Sequence, residues 1–273
     1  MRAVVEASVN ITIDGQAVTA REGQTVLEVC RQLGKDIPTL CYHMALRPYA
    51  ACRVCLVELV AGGRPGLVPA CQYPVGDGLA VLTDSPAVRE ARRVVLELLL
   101  ARCPGSEAIR ELAHRHGVDT TPYPSDEPDQ SCILCGLCVR ACEDLIGAAA
   151  IGFSQRGIDR QVRAPFDESS EACIGCEACA AVCPTGHVLI VDRGSIRRMA
   201  TWKTEMALAA CESCGKHFAT VKQLEFERAK LPPHVPLEQV CPDCRRRRKA
   251  EQLKRSSGGT QPAGARPAAP GRK

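Results

Sequence analysis

The chain has 273 residues, 18 cysteines, only 3% aromatic residues and a formal net charge of +4. That length allows two or more domains of ordinary size, roughly 100–200 residues each, but so few aromatics argue against one large conventional core. No stretch approaches the ~20 apolar residues of a membrane span: the longest greasy segment, residues 94–101, is interrupted by Glu97.

The first residues, MRAVVEASVNITIDG, alternate like a strand and lack the apolar core of a signal peptide. Residues 8–20 alternate apolar and polar around Asp14-Gly15, a strong short hairpin signal. A helix is predicted from about Thr25 to Leu33, with Val26, Leu27, Val29 and Cys30 on its apolar face and Gly34 as a stop. Residues 52–60 and 67–72 read as two more strands joined by a Gly/Pro turn. Two hairpins around a helix predict a β-grasp, ferredoxin-like domain. Ser85-Pro86 opens a further helix, with Ser as N-cap and Pro in the first turn. A shorter helix follows, capped by Ser106 and ended at Gly117. Residues 119–130 have linker composition. The segment from 132 to 184 contains a weak repeat, CILCGLCVRAC and CIGCEACAAVC, and residues 211–244 are bounded by two C-x2-C pairs. After Leu253 the chain is mostly Ser, Gly, Pro, Ala and Arg, a composition expected to stay disordered. The expected class is α+β. Its divisions are 1–84 (β-grasp), 85–125 (helical), 126–200 (dicluster ferredoxin), 201–252 (metal knuckle) and 253–273 (tail).

Tight C-x2-C steps are metal-ligand spacing rather than a disulfide framework, so a reducing cytoplasm is the expected location. Cys132, Cys135, Cys138 and Cys142 follow C-x2-C-x2-C-x3-C, and Cys173, Cys176, Cys179 and Cys183 repeat it before Pro184. In such runs three closely stepped thiolates grip one cubane and the fourth cysteine ligates the other. One [4Fe–4S] is therefore assigned to Cys132, Cys135, Cys138 and Cys183, and the second to Cys173, Cys176, Cys179 and Cys142. Cys41, Cys52, Cys55 and Cys71, spaced C-x10-C-x2-C-x15-C, are assigned to a [2Fe–2S]. A Rieske-type alternative would use His43 of Cys41-Tyr42-His43, but no histidine follows the Cys52/Cys55 pair. Cys211, Cys214, Cys241 and Cys244 read as a four-cysteine zinc ribbon, with a single rubredoxin-like iron or a third cubane as alternatives. Cys30 is left over as a small buried hydrophobe. His114 and His116 read as surface or cap residues, and the run Arg245–Lys249 as a solvated helix end, with nucleic-acid contact as the alternative. With sixteen thiolates and their metals counted, the formal charge falls to about −4, which opposes a nucleic-acid partner.

The motifs IPTLCYHMALRPYAACRVCLVEL, TDSPAVREARRVVLELLLA, CILCGLCVRACED and ACIGCEACAAVCPTG resemble the iron–sulfur subunits of redox complexes. Those are the N-terminal part of the large iron–sulfur subunit of respiratory complex I, the small diaphorase subunit of NAD-linked hydrogenases, and the corresponding parts of formate dehydrogenases. The resemblance implies electron transfer between a flavin/NAD(P)H-binding subunit and a hydrogenase or formate dehydrogenase catalytic subunit. It covers about residues 1–200. One departure stands out: that family carries an extra cubane on a motif HP-x2-C-x2-C-x5-C, where this chain reads ARCPGSEAIRELA. Cys103 stands alone there, so that cluster is expected to be missing and the electron path to take another route. The sequence offers no nucleotide-binding or nucleophile motif, so bond-making chemistry is assigned to partners. A nucleic-acid-binding adaptor and a free ferredoxin-like shuttle are the alternative functions.

Overall fold

The computed structural model describes residues 7–125 and 127–257. Strands β1 (Ser8–Ile13) and β2 (Gln16–Arg21) form the expected hairpin, with Ile13 paired to Gln16. Asp14 and Gly15 take the left-handed φ values of 50° and 81° that a primed two-residue turn requires. Helix α1 (Val26–Gln32) starts at Thr25, whose hydroxyl accepts the Glu28 N–H while the Glu28 carboxylate accepts the Thr25 N–H. Strands β3 (Leu56–Ala61) and β4 (Gly66–Pro69) are the second hairpin, and β5 (Ala80–Leu82) completes a sheet of order β2-β1-β5-β3-β4. The short β5 lies in the middle, parallel to β1 and antiparallel to β3. This is the predicted β-grasp, closed by a strand the alternation did not reveal. The predicted strand over 52–60 begins only at Leu56, because Arg53 is left-handed (φ 58°) and breaks the extended backbone.

Asp14 ties the hairpin to the far end of β5. Its carboxylate accepts the Thr83 N–H at 2.7 Å, the Thr83 hydroxyl at 2.8 Å and the Lys35 ammonium at 2.8 Å. Partial burial raises the Asp14 pKa, but these bonds, led by that from Lys35, outweigh it and hold the carboxyl below its ordinary range. The core beneath is made by Ile11, Ile13, Val26, Leu27, Val29, Val57, Leu59 and Val81. Cys30 belongs to it, fully buried, with its thiol pushed up to about 11 by desolvation.

Helix α2 (Pro86–Arg102) is capped by the Ser85 hydroxyl and α3 (Glu107–Arg115) by that of Ser106, as predicted. Arg92 of α2 is buried and donates to the carbonyl oxygens of Val54 (3.2 Å) and Leu56 (3.1 Å), fastening the helix to the Cys52–Cys55 loop. Beyond Gly117 no helix or strand forms among the described residues until α4 (Leu137–Arg140), which runs into a π-helical turn, Ala141–Ile146. A small hairpin, β6 (Gly152–Ser154) with β7 (Gln161–Arg163), and helix α5 (Ala178–Ala181) follow.

The chain divides into two compact units, one comprising the chain up to Val191 with Arg198–Thr204, the other Asp192–Arg197 with the chain from Glu205 on. Strands β8 (Ile190–Arg193), β9 (Ile196–Met199), β10 (Thr204–Ala210) and β11 (His217–Thr220) form a sheet of order β11-β10-β9-β8. Helices α6 (Val221–Lys230) and α7 (Pro242–Ser257) belong to the second unit. Part of the tail expected to be disordered from 253 is helical instead. Leu253 to Ser257 are the last turn of α7, carried on by strong helix formers such as Glu251, Gln252, Leu253 and Lys254. Residues 258–273 lie outside the described residues. No helix among the described residues is long and apolar enough to cross a membrane.

Candidate metal centres

The first centre forms where the β-grasp sheet opens into two loops. Cys41 follows α1 at the end of an irregular segment, Cys52 and Cys55 precede β3, and Cys71 follows β4. Cys41, Cys55 and Cys71 are buried and Cys52 is half-buried. Ala50 and Arg53, both left-handed at φ 55° and 58°, curl the loop so that its N–H groups face sulfur. The Cys52 N–H donates to Cys41 Sγ at 3.4 Å. Hydrogen bonds from Cys52 and Cys71, with the Cys52 and Ala51 N–H groups, hold the Cys41 thiol far below its ordinary range, at about 2. A bond from Cys71 lowers Cys55 to about 7, and the donors Cys52 and Cys71 are correspondingly raised. Four sulfurs near enough to share protons in this way suit a small cluster whose irons would replace those protons. His43 is turned to its own loop, where Nδ1 accepts the Ala45 N–H at 3.2 Å.

The two cysteine runs interleave. One cavity is lined by Cys142 together with Cys173, Cys176 and Cys179. The electrostatic neighbours agree: Cys142 acts on Cys176 and Cys179, and Cys183 acts on Cys132, Cys135 and Cys138. The fourth cysteine of each run is thus brought to the other run's three. Left-handed residues punctuate both loops, Leu134 (φ 53°) and Gly136 (φ 72°) in the first, Gly175 (φ 67°) and Glu177 (φ 64°) in the second. At Gly136 a Cβ would stand 3.1 Å from the Phe153 ring, so both space and φ call for glycine. N–H groups of Leu134, Leu137 and Ala178 donate to Cys132, Cys135 and Cys176. That of Ala150 donates to Cys142 Sγ at 3.3 Å, and the Trp202 indole Nε1–H to Cys179 Sγ at 3.4 Å. Desolvation pushes the Cys135 and Cys179 thiols up to about 11, so iron binding here must displace protons from a buried site.

Packing bears on the route the electron path takes without that extra cubane. Cys41 and Cys135 belong to one buried cluster with Leu46, Leu137 and Ala141, so the [2Fe–2S] candidate adjoins the first cubane candidate directly. Arg140, between Cys138 and Cys142, donates to the carbonyls of Cys41 (3.1 Å) and Arg47 (2.5 Å) and locks the two loops together. The place of the family's extra cubane is filled by apolar side chains. Leu96, Leu100, Ile109, Leu112, Ala113 and Val118 pack around Cys103, which is fully buried. Cys103→Ser is therefore expected to leave iron and sulfide content unchanged while costing about 1–2 kcal/mol of stability for a buried hydroxyl. Iron analysis and a denaturant titration check both halves.

The fourth centre lies in the second unit. Cys211 and Cys214 sit in the β10–β11 turn, where Gly215 is left-handed at φ 73°, and Cys241 and Cys244 lie at the start of α7. The second pair thus opens a helix instead of sitting in a second hairpin turn. The four sulfurs lie within 4.8 Å of one another, a convergence that no other His, Cys, Asp or Glu group among the described residues reaches. Cys214 and Cys241 are 3.8 Å apart. Thiolates bound tetrahedrally to one ion at about 2.3 Å stand about 3.8 Å from each other, whereas those at the corners of a cubane must stand farther apart. The Cys241 N–H, 3.3 Å from Cys211 Sγ, leads the interactions that lower the Cys211 thiol to about 6. Of the basic run, Arg246 pairs with Asp243 and Arg248 with Glu238. His114 pairs with Asp119 at 2.7 Å, and His116 caps α3.

Comparison with known proteins agrees with this geometry. The 2Fe-2S iron-sulfur cluster binding domain matches residues 6–86, and two 4Fe-4S dicluster domain families match residues 131–187 and 167–217. The chain is 33% identical over 206 residues to an NADH-quinone oxidoreductase subunit of Rhizobium meliloti (strain 1021), covering 66% of this chain and 24% of that protein. It is 35% identical over 206 residues to the NADP-reducing hydrogenase subunit HndD of Solidesulfovibrio fructosivorans, covering 64% of this chain and 35% of that one. A chain in a crystal structure of NAD+-reducing [NiFe]-hydrogenase in the H2-reduced state superposes with TM-score 0.52 and 28% identity, over 80% of this chain and 96% of that one. The chain spans about a quarter to a third of the length of these two curated relatives. The chain carries a 2Fe-2S domain followed by a 4Fe-4S dicluster domain. Its relatives are the iron–sulfur subunits of NADH dehydrogenase-like and hydrogenase complexes, as the resemblance implied.

Proposed function

We propose that this chain is the electron wire of a multi-subunit oxidoreductase in a reducing, cytoplasmic setting. It holds a [2Fe–2S] on Cys41, Cys52, Cys55 and Cys71. One [4Fe–4S] is bound by Cys132, Cys135, Cys138 and Cys183, and a second by Cys173, Cys176, Cys179 and Cys142. The donor partner is a flavin/NAD(P)H-binding subunit on the [2Fe–2S] side. The acceptor is a catalytic subunit, hydrogenase or formate dehydrogenase, on the dicluster side. The observation that carries the reading is that Cys41 and Cys135 share one buried cluster, which supports direct transfer between the first two centres. When bound, the clusters supply one-electron redox chemistry. The residues around them supply burial, N–H donors and fixed spacing, which tune potentials.

Cys211, Cys214, Cys241 and Cys244 hold a single structural metal, zinc. Support comes from sulfur separations that suit one tetrahedral ion better than a cubane, even though one dicluster match reaches residue 217. The arginines of α7 act within this unit, and their pairing with Asp243 and Glu238 disfavours a nucleic-acid role.

Metal analysis of anaerobically purified protein tests the reading. About ten irons, ten sulfides and one zinc per chain are expected from the ligand sets. About fourteen irons without zinc would make the C-terminal cysteines a fourth cluster. Six irons would remove one cubane from the wire.

A further inference from the structure

The Ala200–Trp202 turn places the indole of Trp202 in the wall of the cavity that Cys142, Cys173, Cys176 and Cys179 line. Trp202 is the only tryptophan in the chain and is 3% exposed. A buried indole N–H needs an acceptor, and here it is Cys179 Sγ at 3.4 Å. The backbone on both sides is fastened. The Thr201 hydroxyl accepts the Leu189 N–H at 2.8 Å and donates to the His187 carbonyl at 3.3 Å. The Thr204 hydroxyl donates to the Trp202 carbonyl at 2.9 Å, and Lys203 pairs with Asp167 at 2.7 Å. The indole is therefore held in place before any charge arrives, the condition for a hydrogen bond to act without reorganisation.

We infer that Trp202 is a positioning residue for the second cubane, whose indole N–H bond to Cys179 raises that cluster's reduction potential and makes it the better electron acceptor of the pair. The inference rests on the ligand set proposed above. One electron passes from the reduced first cubane to the oxidised second one, with no proton and no bond changed. The unit of cluster and four thiolates gains one negative charge. Trp202 directs a partial positive charge at one of those thiolates, so it favours the reduced form over the oxidised one. The donors from Ala150 and Ala178 are backbone N–H groups, which an ordinary side-chain substitution leaves in place. Trp202 offers a side chain through which the potential can be changed.

Because the chain has one tryptophan, growth of a tryptophan auxotroph on benzothienylalanine exchanges the indole N–H for sulfur at this position alone, with shape kept. The purified full-length protein is titrated by EPR beside wild type, Trp202→Phe and Cys142→Ser, after iron and sulfide analysis of each. In the isostere, with metal content unchanged, the reduced-to-oxidised ratio of one cubane at its wild-type midpoint is expected to fall about tenfold, equivalent to about 59 mV. That cubane must be the one whose signal Cys142→Ser removes, and the other two clusters keep their midpoints. Unchanged midpoints at full metal content would overturn the inference, and so would loss of iron from the isostere, which would make the bond one of assembly. Fewer than two cubanes in wild type would sink the ligand assignment itself, a failure visible before any variant is compared.

Discussion

Cys183→Ser is expected to cost the protein about four irons and the signal of the cluster held by Cys132, Cys135 and Cys138, although Cys183 lies in the other run. Helix α5 starts just before Cys179 and ends at Ala181, so it carries the chain out of the loop that wraps one cavity and delivers Cys183 to the neighbouring site. There Cys183 is an electrostatic neighbour of Cys132, Cys135 and Cys138. The α4 helix and its π-helical turn do the reverse for Cys142, whose sulfur lines the cavity of the second run. A serine oxygen is a poor substitute for a thiolate on iron, and three ligands leave one corner of the cubane open to solvent. The check is iron and sulfide content with EPR of four variants. Cys183→Ser and Cys132→Ser should lose the same signal, and Cys142→Ser and Cys173→Ser the other. If Cys183→Ser instead matched Cys173→Ser, the ligand sets would be uncrossed.

Cys241→Ser is expected to release the zinc and unfold the second unit while leaving all three iron–sulfur signals in place. The buried cluster of that knuckle is Cys211, Val240, Cys241 and Cys244, with Phe218 packed against it. A core made mostly of ligands has little apolar surface to fall back on, so metal binding supplies the folding free energy. Apparent values for structural zinc are about 10–16 kcal/mol in small knuckles at pH 7. Limited proteolysis should then cut between residues 205 and 257 at least about tenfold faster, and zinc per chain should fall to near zero. A zinc chelator should reproduce both effects on the unaltered protein. Loss of an iron signal in this variant would show that the knuckle belongs to the electron path.

Much of this was legible in the residues because the chemistry is local. A cubane needs three thiolates within one tight loop, so C-x2-C-x2-C declares itself in seven residues, and the repeated run declares the pair. Asp14-Gly15 announced its hairpin because few residue pairs accept two left-handed conformations, and Ser85 and Ser106 announced their helices because the first turn needs an acceptor for its N–H groups. The same locality misplaced β3. CRVCLVELV reads as one strand, but the metal loop claims its first residues and turns Arg53 left-handed.

Residue order was thus enough to group the cysteines into candidate sets, and to indicate the β-grasp and dicluster character of the first unit and the lack of ligands for the family's additional cubane. Only the folded chain reveals that β5 sits centrally in its sheet, that Leu96, Leu100, Ile109 and Leu112 close over Cys103, and that Cys41 and Cys135 share one buried cluster. Folding also brings Trp202 within 3.4 Å of Cys179, from 23 residues away. These are contacts between segments far apart in the chain. They depend on how buried surfaces fit and on where a buried N–H finds its acceptor, and neither leaves a periodic or spaced mark in the sequence.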